Sequence, residues 1–396
     1  MKVLQVNNVY AQQSTGKLTR ELHGGLLRCG QESLVVYGRG KTVNEPGVIR
    51  LCPDWYGKLN SFASRFTGIR YGGCLLSTLR LQRIILREKP DIVHLQCING
   101  NFVNIFRLME WLKKQKIKTV LTLHAEFMYT ANCGHAFECD QWKQGCRQCP
   151  NLRKATKSLF FDRTGYCWNR MRKAFEGFDG NCVAVAVSPW TAARAGEGEI
   201  LKGIPIHTIY NGVDTGVFSE TGLERKKNTV FHATAKFSPD PEHPKGGWHL
   251  IRLAQRMPEV TFLVAGSAEP CGKLPENLVL LGEIRDQEEL ADHYRKAALT
   301  VLVSRKETFS MPCAESLCCG TPVVGFRAGA PEQIALPEYS EFVKFGDLDS
   351  LEAVLKYWLA RTDLTPEQIA RQADQTYSSE TMIRKYLEIY RRLLWN

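Results

Sequence analysis

Residues 304–325 read SRKETFSMPCAESLCCGTPVVG, and the rest of the chain is organised around them. The β-branched run at 299–303 that precedes them is typical of a buried strand. Ser310 is a candidate N-cap and Pro312 stands in the first turn, so a short helix is predicted to begin here and to stop at Gly320. The order of strand, loop and helix start is typical of a parallel α/β sheet.

Two acidic residues of this stretch are candidates for ligand binding. Glu307 is predicted to lie in the loop, and Glu315 about one turn inside the helix. A helix start concentrates unpaired N–H groups and the positive end of the helix dipole, which favours phosphate oxygens. A ligand made of a sugar, a diphosphate and a ribose fits this layout. Without such a context, two glutamates with this spacing are usually solvated surface residues.

The order Glu-Thr-Phe-Ser-Met-Pro-Cys-Ala-Glu, followed by Gly-Thr-Pro-Val-Val, resembles the donor-site signature of retaining GT-B glycosyltransferases of family 4. The resemblance covers most of the chain and is strongest at 300–325. It implies two Rossmann-like, doubly wound α/β domains that face each other across a cleft. It also implies that a UDP- or GDP-sugar is the donor. The donor-binding residues implied in this stretch are Glu307, Thr308, Phe309, Ser310, Met311 and Glu315.

Length and composition limit the class of protein. The chain has 396 residues, which suggests two or three domains, and its hydrophobic content of 44% excludes disordered and fibrous classes. No apolar run reaches the roughly 18 residues that a membrane-spanning helix needs. The N-terminus enters a strand without a signal-peptide pattern, and 14 cysteines are scattered along the chain. We therefore expect a cytoplasmic protein that can also bind the inner face of the plasma membrane.

Positive charge is concentrated in the first half of the chain. Residues 1–200 carry 29 Lys and Arg against 15 Asp and Glu, a net charge of +14. Residues 201–396 carry 23 against 26, a net charge of −3. A one-sided basic domain indicates an anionic partner such as a phospholipid surface, a lipid pyrophosphate or a nucleic acid, although surface charge can also serve solubility alone.

Strands and helices alternate along both halves, which predicts βαβ units. The predicted first domain covers 1–205 and contains a cysteine-rich loop at 127–150. The predicted second domain covers 206–375 and binds the nucleotide sugar. The last predicted helix, 376–396, either crosses back to the first domain, as in the resembled fold, or caps the second domain.

Two residues of the first domain are site candidates. Gly16 stands in the loop after the first strand, where the resemblance places a glycine beneath the donor phosphates. His124 ends the strand 118–123, where the resemblance implies a position near the reacting centre. Taken alone, a glycine after a strand is more often a turn, and a histidine at a strand end is more often a structural hydrogen bonder. Glu126 follows two residues later with its role open.

Lys236 and Lys245 are the basic candidates of the second domain. The resemblance implies that such a pair neutralises the diphosphate leaving group, and Lys245 stands before two glycines that open a helix. The implied catalytic residues are then His124, Glu307 and Lys245. Because the leaving group itself can accept the proton of the acceptor, no carboxylate pair for double displacement and no catalytic cofactor are expected.

Four cysteines, Cys133, Cys139, Cys146 and Cys149, lie within 17 residues of one another. Four thiolates can hold a structural zinc ion, so a zinc site is predicted in this loop. Disulfides, which a reducing cytoplasm disfavours, and free thiols are the alternatives. The loop follows His124 and is expected to shape the acceptor side.

A segment at 55–71 alternates aromatic residues with Lys58, Arg65 and Arg70, and Arg80, Arg83 and Arg87 follow it. Such a pattern is a candidate for contact with an anionic membrane surface. The alternative is that the aromatic residues pack inward.

The favoured function is retaining transfer of a sugar to a lipid-linked or oligosaccharide acceptor during surface polysaccharide assembly. One alternative is a sugar-nucleotide epimerase of similar fold, which would form an isomer without an acceptor. The other is a basic zinc-containing nucleic-acid-binding protein, but no basic–aromatic nucleic-acid motif supports it, so no nucleic-acid partner is expected.

Overall fold

A computed structural model describes residues 1–178 and 180–395, so residue 396, the last of the predicted C-terminal helix, lies outside it. The chain divides into two compact units. The first contains Met1–Tyr210 and the C-terminal segment that begins at Met382, and the second contains Asn211–Thr381. Each unit is built around one parallel sheet, and the predicted α/β fold class is confirmed.

The first unit contains a seven-stranded parallel sheet in the order β3-β2-β1-β4-β5-β6-β7. Its strands are β1 (Lys2–Asn7), β2 (Glu32–Tyr37), β3 (Val48–Arg50), β4 (Ile92–Leu95), β5 (Thr119–Leu123), β6 (Cys182–Ala186) and β7 (Ile206–Thr208). Its helices are α1 (Gln13–Arg28), α2 (Asp54–Thr67), α3 (Leu75–Glu88), α4 (Ile105–Lys114), α5 (Phe127–Thr130), α6 (Thr164–Phe175) and α7 (Pro189–Gly196).

The second unit contains a six-stranded parallel sheet in the order β10-β9-β8-β11-β12-β13. Its strands are β8 (Lys226–Phe237), β9 (Thr261–Ala268), β10 (Leu278–Gly282), β11 (Ala297–Leu302), β12 (Val323–Phe326) and β13 (Ser340–Val343). The helices are α8 (Gly247–Arg256), α9 (Gln287–Lys296), α10 (Met311–Cys318), α11 (Pro331–Ile334), α12 (Leu348–Ala360), α13 (Pro366–Tyr377) and α14 (Ser379–Trp395), the last of which continues into the first unit.

The central strands are buried along their whole length, since helices cover both faces of a parallel sheet. Every residue of β4, β5 and β6 is buried. In the second unit one core cluster joins strands β8, β9, β11 and β12 to helices α8 and α12. The strands therefore read as continuous apolar runs rather than as alternating patterns.

Two boundaries differ from the sequence-based expectation. The sequence predicts a second domain from residue 206, but Ile206–Thr208 pairs with β6 and extends the first sheet. Backbone bonds from Ala184 N to Pro205 O and from Ile209 N to Ala186 O hold this short strand in place. The sequence predicts that Gly16 lies in the loop after β1, but helix α1 already begins at Gln13. The Asn7 amide donates to the carbonyl of Thr15 (3.1 Å), and this bond joins the end of β1 to the first turn of the helix.

The C-terminal part of α14 packs on the first sheet. Ile383, Tyr386 and Tyr390 are buried in one cluster with residues of β1, β5 and β6. The hydroxyl of Tyr390 lies 2.7 Å from Nδ1 of His94, and the hydroxyl of Tyr386 lies 2.8 Å from Oγ1 of Thr122. The helix is thus held by apolar burial and by hydrogen bonds that satisfy its buried phenols.

Helix α2 contains most of the aromatic segment, and Trp55, Phe62 and Phe66 are exposed on it. Trp55 is 65% exposed and Phe62 is 58% exposed. Tyr56 packs against the core and Tyr71 is buried in it, so the alternative that the aromatic residues pack inward holds for these two residues and not for the exposed ones. Among the described helices, none is long and apolar enough to cross a bilayer.

A close contact between α1 and α14 predicts an asymmetric response of two neighbouring glycines. A Cβ on Gly25 would lie 2.1 Å from Cδ1 of Ile383, whereas one on Gly24 would meet only the end of the Arg28 side chain, at 3.3 Å. Gly25→Ala should lower the free energy of unfolding by about 1–3 kcal/mol through overpacking. Gly24→Ala, the matched control, should raise it by roughly 0.5–1 kcal/mol through helix propensity. Urea denaturation measures both.

Adding Ile383→Val to Gly25→Ala should recover part of the loss, since it removes the methyl group that the new Cβ meets. Equal effects of the two alanine substitutions would contradict the contact.

Candidate active site

Lys245 and Glu307 form an ion pair at the carboxyl edge of the second sheet. Strands β8 and β11 are the neighbours at which the strand order reverses, and such a switch point leaves a crevice for ligands. Lys245 follows β8 and Glu307 follows β11, and Lys245 Nζ lies 2.6 Å from Oε1 of Glu307. The structure therefore brings together two of the three predicted catalytic residues.

The backbone of Glu307 is fixed on both sides. Its N–H donates to Ala328 O at 2.9 Å, and its carbonyl accepts from Ala330 N at 3.3 Å. Gly329 between them donates its N–H to the carboxylate of Glu332, at 3.0 and 3.1 Å. The loop that carries Glu307 is thus bonded to the loop after β12.

Gly246 allows the loop of Lys245 to approach the end of β11. Its φ of +70° is left-handed, and a Cβ there would lie 2.0 Å from Val303 O. The N–H of Arg305 donates to Pro244 O at 2.8 Å, which joins the same two loops. Only glycine fits this position, and this explains the glycine after Lys245 in physical terms.

Helix α10 begins where the sequence predicts it, at Met311, with Ser310 as its N-cap residue. The side chain of Ser310 makes no capping bond, and its φ of +90° is unusual for a residue with a side chain. Thr308, Phe309 and Ser310 are buried. The backbone before the helix is thus held in an uncommon conformation beside Glu307, and such strain is often found at ligand-binding sites.

Glu315 lies one turn inside α10 and is partly buried. One of its carboxylate oxygens accepts from the hydroxyl of Tyr294 at 3.2 Å. Burial and the nearby Glu315 charge raise the pKa of Tyr294 well above its usual value, so the phenol remains a neutral donor. This bond orients the carboxylate that the sequence assigns to a ribose.

Lys236 has a partner other than the predicted one. It forms an ion pair with Glu269, which also accepts a hydrogen bond from Ser238. The structure gives Lys236 no contact with the pair of Lys245 and Glu307. Residues 237–244 separate Lys236 from Lys245 in the chain. The predicted role of Lys236 at the donor diphosphate stays a prediction.

His232 is a residue that sequence reasoning missed. It is buried on β8, and its Nδ1 lies 2.8 Å from Val301 O, while Nε2 has no hydrogen-bond partner among the described residues. Burial lowers its pKa to about 4, and the charges of Lys245 and Glu307 also act on it in opposite directions. A polar residue within the apolar run of β8 was the available signal.

His124 follows β5 in the first unit and is partly buried. Its Nε2 lies 2.8 Å from Oε1 of Gln96, whose amide nitrogen donates to Gln5 Oε1 at 3.2 Å. Because Gln96 presents an acceptor oxygen, Nε2 of His124 carries the proton. Burial lowers the pKa of His124 to about 4, so the ring is neutral at pH 7.

Gly16 packs closely against the loop after β1. It lies in the first turns of α1, and a Cβ there would lie 3.1 Å from Cγ2 of Val9 and 3.3 Å from the N of Ala11. The carbonyl of Gly16 also accepts from Ala11 N at 3.0 Å. The loop after β1 thus folds against Gly16, and its predicted contact with phosphate stays a prediction.

Glu126 anchors the cysteine-rich loop. Its carboxylate is buried, forms an ion pair with Arg194 Nε at 2.7 Å and accepts from Ala136 N at 2.6 Å. The hydroxyl of Tyr129 donates to it at 3.1 Å. The role left open in the sequence is therefore structural, and Arg194, 68 residues away, is its main partner.

The four cysteines of the loop carry free thiols. Within residues 1–178 and 180–395, no group of three or more His, Cys, Asp or Glu side chains is arranged to hold a metal ion. Burial raises the pKa of Cys133 and Cys146 to about 12, and the other cysteines of the loop add to the shift. Zinc binding therefore stays a prediction.

Profiles of known families match both halves of the chain. Residues 16–217, about half of the chain, match the family described as Glycosyltransferase Family 4. Residues 248–360 match the family described as Glycosyl transferases group 1. The chain belongs to glycosyltransferase family 4. Members of this family are retaining enzymes, so family membership favours the predicted transferase over the nucleic-acid-binding alternative.

Two known glycosyltransferases are similar to this chain over different shares of its length. WcaC of Escherichia coli (strain K12), to which colanic acid biosynthesis is ascribed, is 24% identical over 99% of this chain and 100% of its own length. The MMP alpha-(1->4)-mannosyltransferase of Mycolicibacterium hassiacum is 29% identical over 42% of this chain and 43% of its own.

Solved structures share the GT-B fold of family 4. The sucrose-phosphate synthase of Thermosynechococcus elongatus superposes with a TM-score of 0.71 at 15% identity, covering 100% of this chain and 99% of that one. Anabaena HepE in complex with UDP superposes with a TM-score of 0.65 at 15% identity, covering 99% of this chain and 100% of that one.

Removal of the buried carboxylate of Glu126 should destabilise this family 4 enzyme strongly. Glu126→Ala should lower the free energy of unfolding by about 3–5 kcal/mol, because it leaves the guanidinium of Arg194 buried without its partner. Glu199→Ala is the matched control, since it breaks an exposed ion pair with Lys202 and should cost about 0–1 kcal/mol. Denaturant unfolding measures both, and similar losses would contradict the structural role of Glu126.

The zinc hypothesis predicts about one zinc ion per chain in protein purified in a reducing buffer. Elemental analysis measures it. Cys146→Ser should remove the metal, whereas Cys29→Ser, a substitution of an exposed thiol outside the loop, should leave it in place. Metal-free protein with four loop thiols that react with a thiol reagent would reject the zinc site.

Proposed function

We propose that this family 4 enzyme moves a sugar from a nucleotide-diphosphate donor, a UDP- or GDP-sugar, to a lipid-linked or oligosaccharide acceptor in surface polysaccharide assembly. The observation that carries the donor side is the ion pair of Lys245 and Glu307 at the switch point of the second sheet, beside the start of α10. The E. coli relative with a colanic acid role supports the polysaccharide setting.

Each chemical group of such a donor has a candidate partner in the second unit. Lys245 and the positive end of the α10 dipole supply positive potential for a diphosphate. Glu307 is placed to accept hydrogen bonds from the hydroxyls of the donor sugar. Glu315, oriented by Tyr294, is placed to accept them from a ribose. The UDP complex of the structurally similar Anabaena HepE supports a nucleotide ligand of this kind.

Transfer with retention needs charge stabilisation more than an added base. The bond between the anomeric carbon and the diphosphate oxygen breaks first, through an oxocarbenium-like transition state. The acceptor oxygen then bonds to the same face, and its proton passes to the leaving diphosphate. Lys245 is held in place by Glu307 before the donor arrives, so it can stabilise the developing negative charge without reorganisation.

His124 would act in its neutral form on the acceptor side. With a pKa of about 4 it carries no charge at pH 7, so it can make a hydrogen bond near the reacting centre without adding a cation there. We further propose that the reaction takes place at the cytoplasmic face of a membrane, where lipid-linked acceptors are held.

A charge-neutralising substitution tests the donor site. Glu307→Gln keeps the shape of the side chain but removes its charge, and it should lower the transfer rate about 10- to 100-fold. Glu338→Gln, at an exposed position, is the matched control and should leave the rate unchanged. Mass spectrometry of nucleotide sugars incubated with lipid extracts or oligosaccharides measures the product.

Unchanged donor binding and transfer in Glu307→Gln would refute the donor-site assignment. An isomer of the nucleotide sugar formed without any acceptor would support the epimerase alternative instead.

A further inference from the structure

The first unit contains a cationic pocket. Its volume is about 230 Å³, and four basic side chains line it. No acidic side chain is among the described residues of its wall. The basic residues are Arg39, Arg65, Arg70 and Lys157. Four cations without a carboxylate between them create a strong positive potential, so the pocket fits an anion.

The pocket lies at the carboxyl edge of the first sheet. Arg39 follows β2, and Asn99 and Asn101, which also line the pocket, follow β4. The strand order reverses between β1 and β4, so this is the switch point at which ligands of doubly wound sheets bind. His124 lies at the end of β5, on the same edge.

The arginines of the pocket suit phosphate. The guanidinium of Arg70 donates to Asn132 O at 2.7 Å and lies 5.1 Å from the centre of the Tyr71 ring, so its position is fixed by the loop at 127–150. Arg65 and Lys157 extend from α2 and from the loop after residue 156 and are exposed. A planar guanidinium bonds two phosphate oxygens at once, which makes arginine a strong phosphate ligand.

The size of the pocket limits what it can hold. Pockets that bind drug-sized ligands measure about 300–1,000 Å³. A volume of about 230 Å³ accommodates a phosphate or diphosphate group but not a long apolar chain. An apolar chain attached to such a group would have to lie outside the pocket.

An exposed apolar surface, here called the aromatic face, borders the pocket. Four of its residues recur along one side of α2, and three follow Lys157 in the chain. The two parts touch, since the rings of Phe66 and Phe160 lie 5.7 Å apart. Phe160 is 66% exposed. The members are Trp55, Leu59, Phe62, Phe66, Leu159, Phe160 and Phe161.

The pocket wall and the aromatic face come from the same two segments. Ser64 and Arg65 line the pocket between Phe62 and Phe66, and Lys157 stands two residues before Leu159. Residues 54–87 carry six Lys and Arg but one Asp. An apolar helix face with basic flanks is typical of a helix that lies in the interface of an anionic bilayer.

We propose that the pocket binds the phosphate groups of a lipid-phosphate or lipid-diphosphate acceptor, while the aromatic face enters the bilayer that holds its apolar chain. The proposal rests on the proposed glycosyltransferase function and selects the lipid-linked class from its two acceptors. The sugar of such an acceptor would extend along the sheet edge on which His124 lies. The cationic pocket fixes the phosphate, and the aromatic face recognises the membrane.

Vesicle flotation without nucleotide sugar tests the pocket. The probes are phosphatidylcholine vesicles that contain either a polyisoprenyl diphosphate or phosphatidylglycerol at equal total lipid charge. The protein should bind the diphosphate vesicles about tenfold or more tightly. Arg39→Gln combined with Arg65→Gln should abolish this preference. Lys114→Gln combined with Lys173→Gln, which removes the same charge at exposed positions outside the pocket and outside α2, should retain it.

The aromatic face is tested in the same assay. Phe62→Ser combined with Phe160→Ser should weaken binding to both kinds of vesicle about tenfold or more. Tyr357→Ser, at a similarly exposed aromatic residue of α12, is the control and should bind like the unaltered chain.

Three outcomes would overturn the proposal: equal binding to both kinds of vesicle, wild-type binding by the pocket or aromatic variants, or inorganic pyrophosphate binding as tightly as the lipid. The last outcome would identify the ligand as a soluble anion. Because flotation needs no donor, its failure leaves the glycosyltransferase proposal intact. Loss of sugar transfer with every donor, despite selective vesicle binding, would instead refute the proposed function alone.

Discussion

Parallel pairing of the strands is the constraint on which both candidate sites depend. Because all strand pairs of each described sheet are parallel, the carboxyl ends of the strands meet at one edge of that sheet. Where the strand order reverses, the connecting loops separate and leave a crevice. In the second unit this crevice carries Lys245 and Glu307, and in the first unit it carries the cationic pocket.

The ion pair of Lys245 and Glu307 shows how a surface lysine becomes a candidate catalytic group. A lysine is ordinarily solvated and mobile, and its position is costly to fix. Here the positive φ of Gly246 lets one loop approach Val303, and a backbone bond from Arg305 holds the other loop beside it. The two side chains then neutralise each other until a diphosphate competes for the cation. This preorganisation is the feature that electrostatic catalysis requires.

In the proposal for the first unit, membrane binding and acceptor recognition have a common physical origin. The net charge of +14 in residues 1–200 follows from the sequence alone. The sequence did not decide whether this charge binds a lipid, binds a nucleic acid or serves solubility. The structure places an exposed apolar face beside four cations that line one pocket, and our proposal of a lipid partner rests on this arrangement. An exposed aromatic stripe costs solubility, so its presence favours a partner that covers it. A bilayer with phosphate-bearing lipids satisfies both parts at once.

The sequence by itself determined the alternation of strands and helices, the helix start at Ser310 and the family signature from Glu307 to Glu315, since these depend on local propensity and spacing. Only the tertiary structure decided the partners: Glu126 pairs with Arg194, Lys236 with Glu269, and the buried His232 lies near Lys245. Such partners are distant in sequence, so no local pattern encodes them. For the same reason the exposure of Trp55, Phe62 and Phe66 on α2 could be determined only from the tertiary structure.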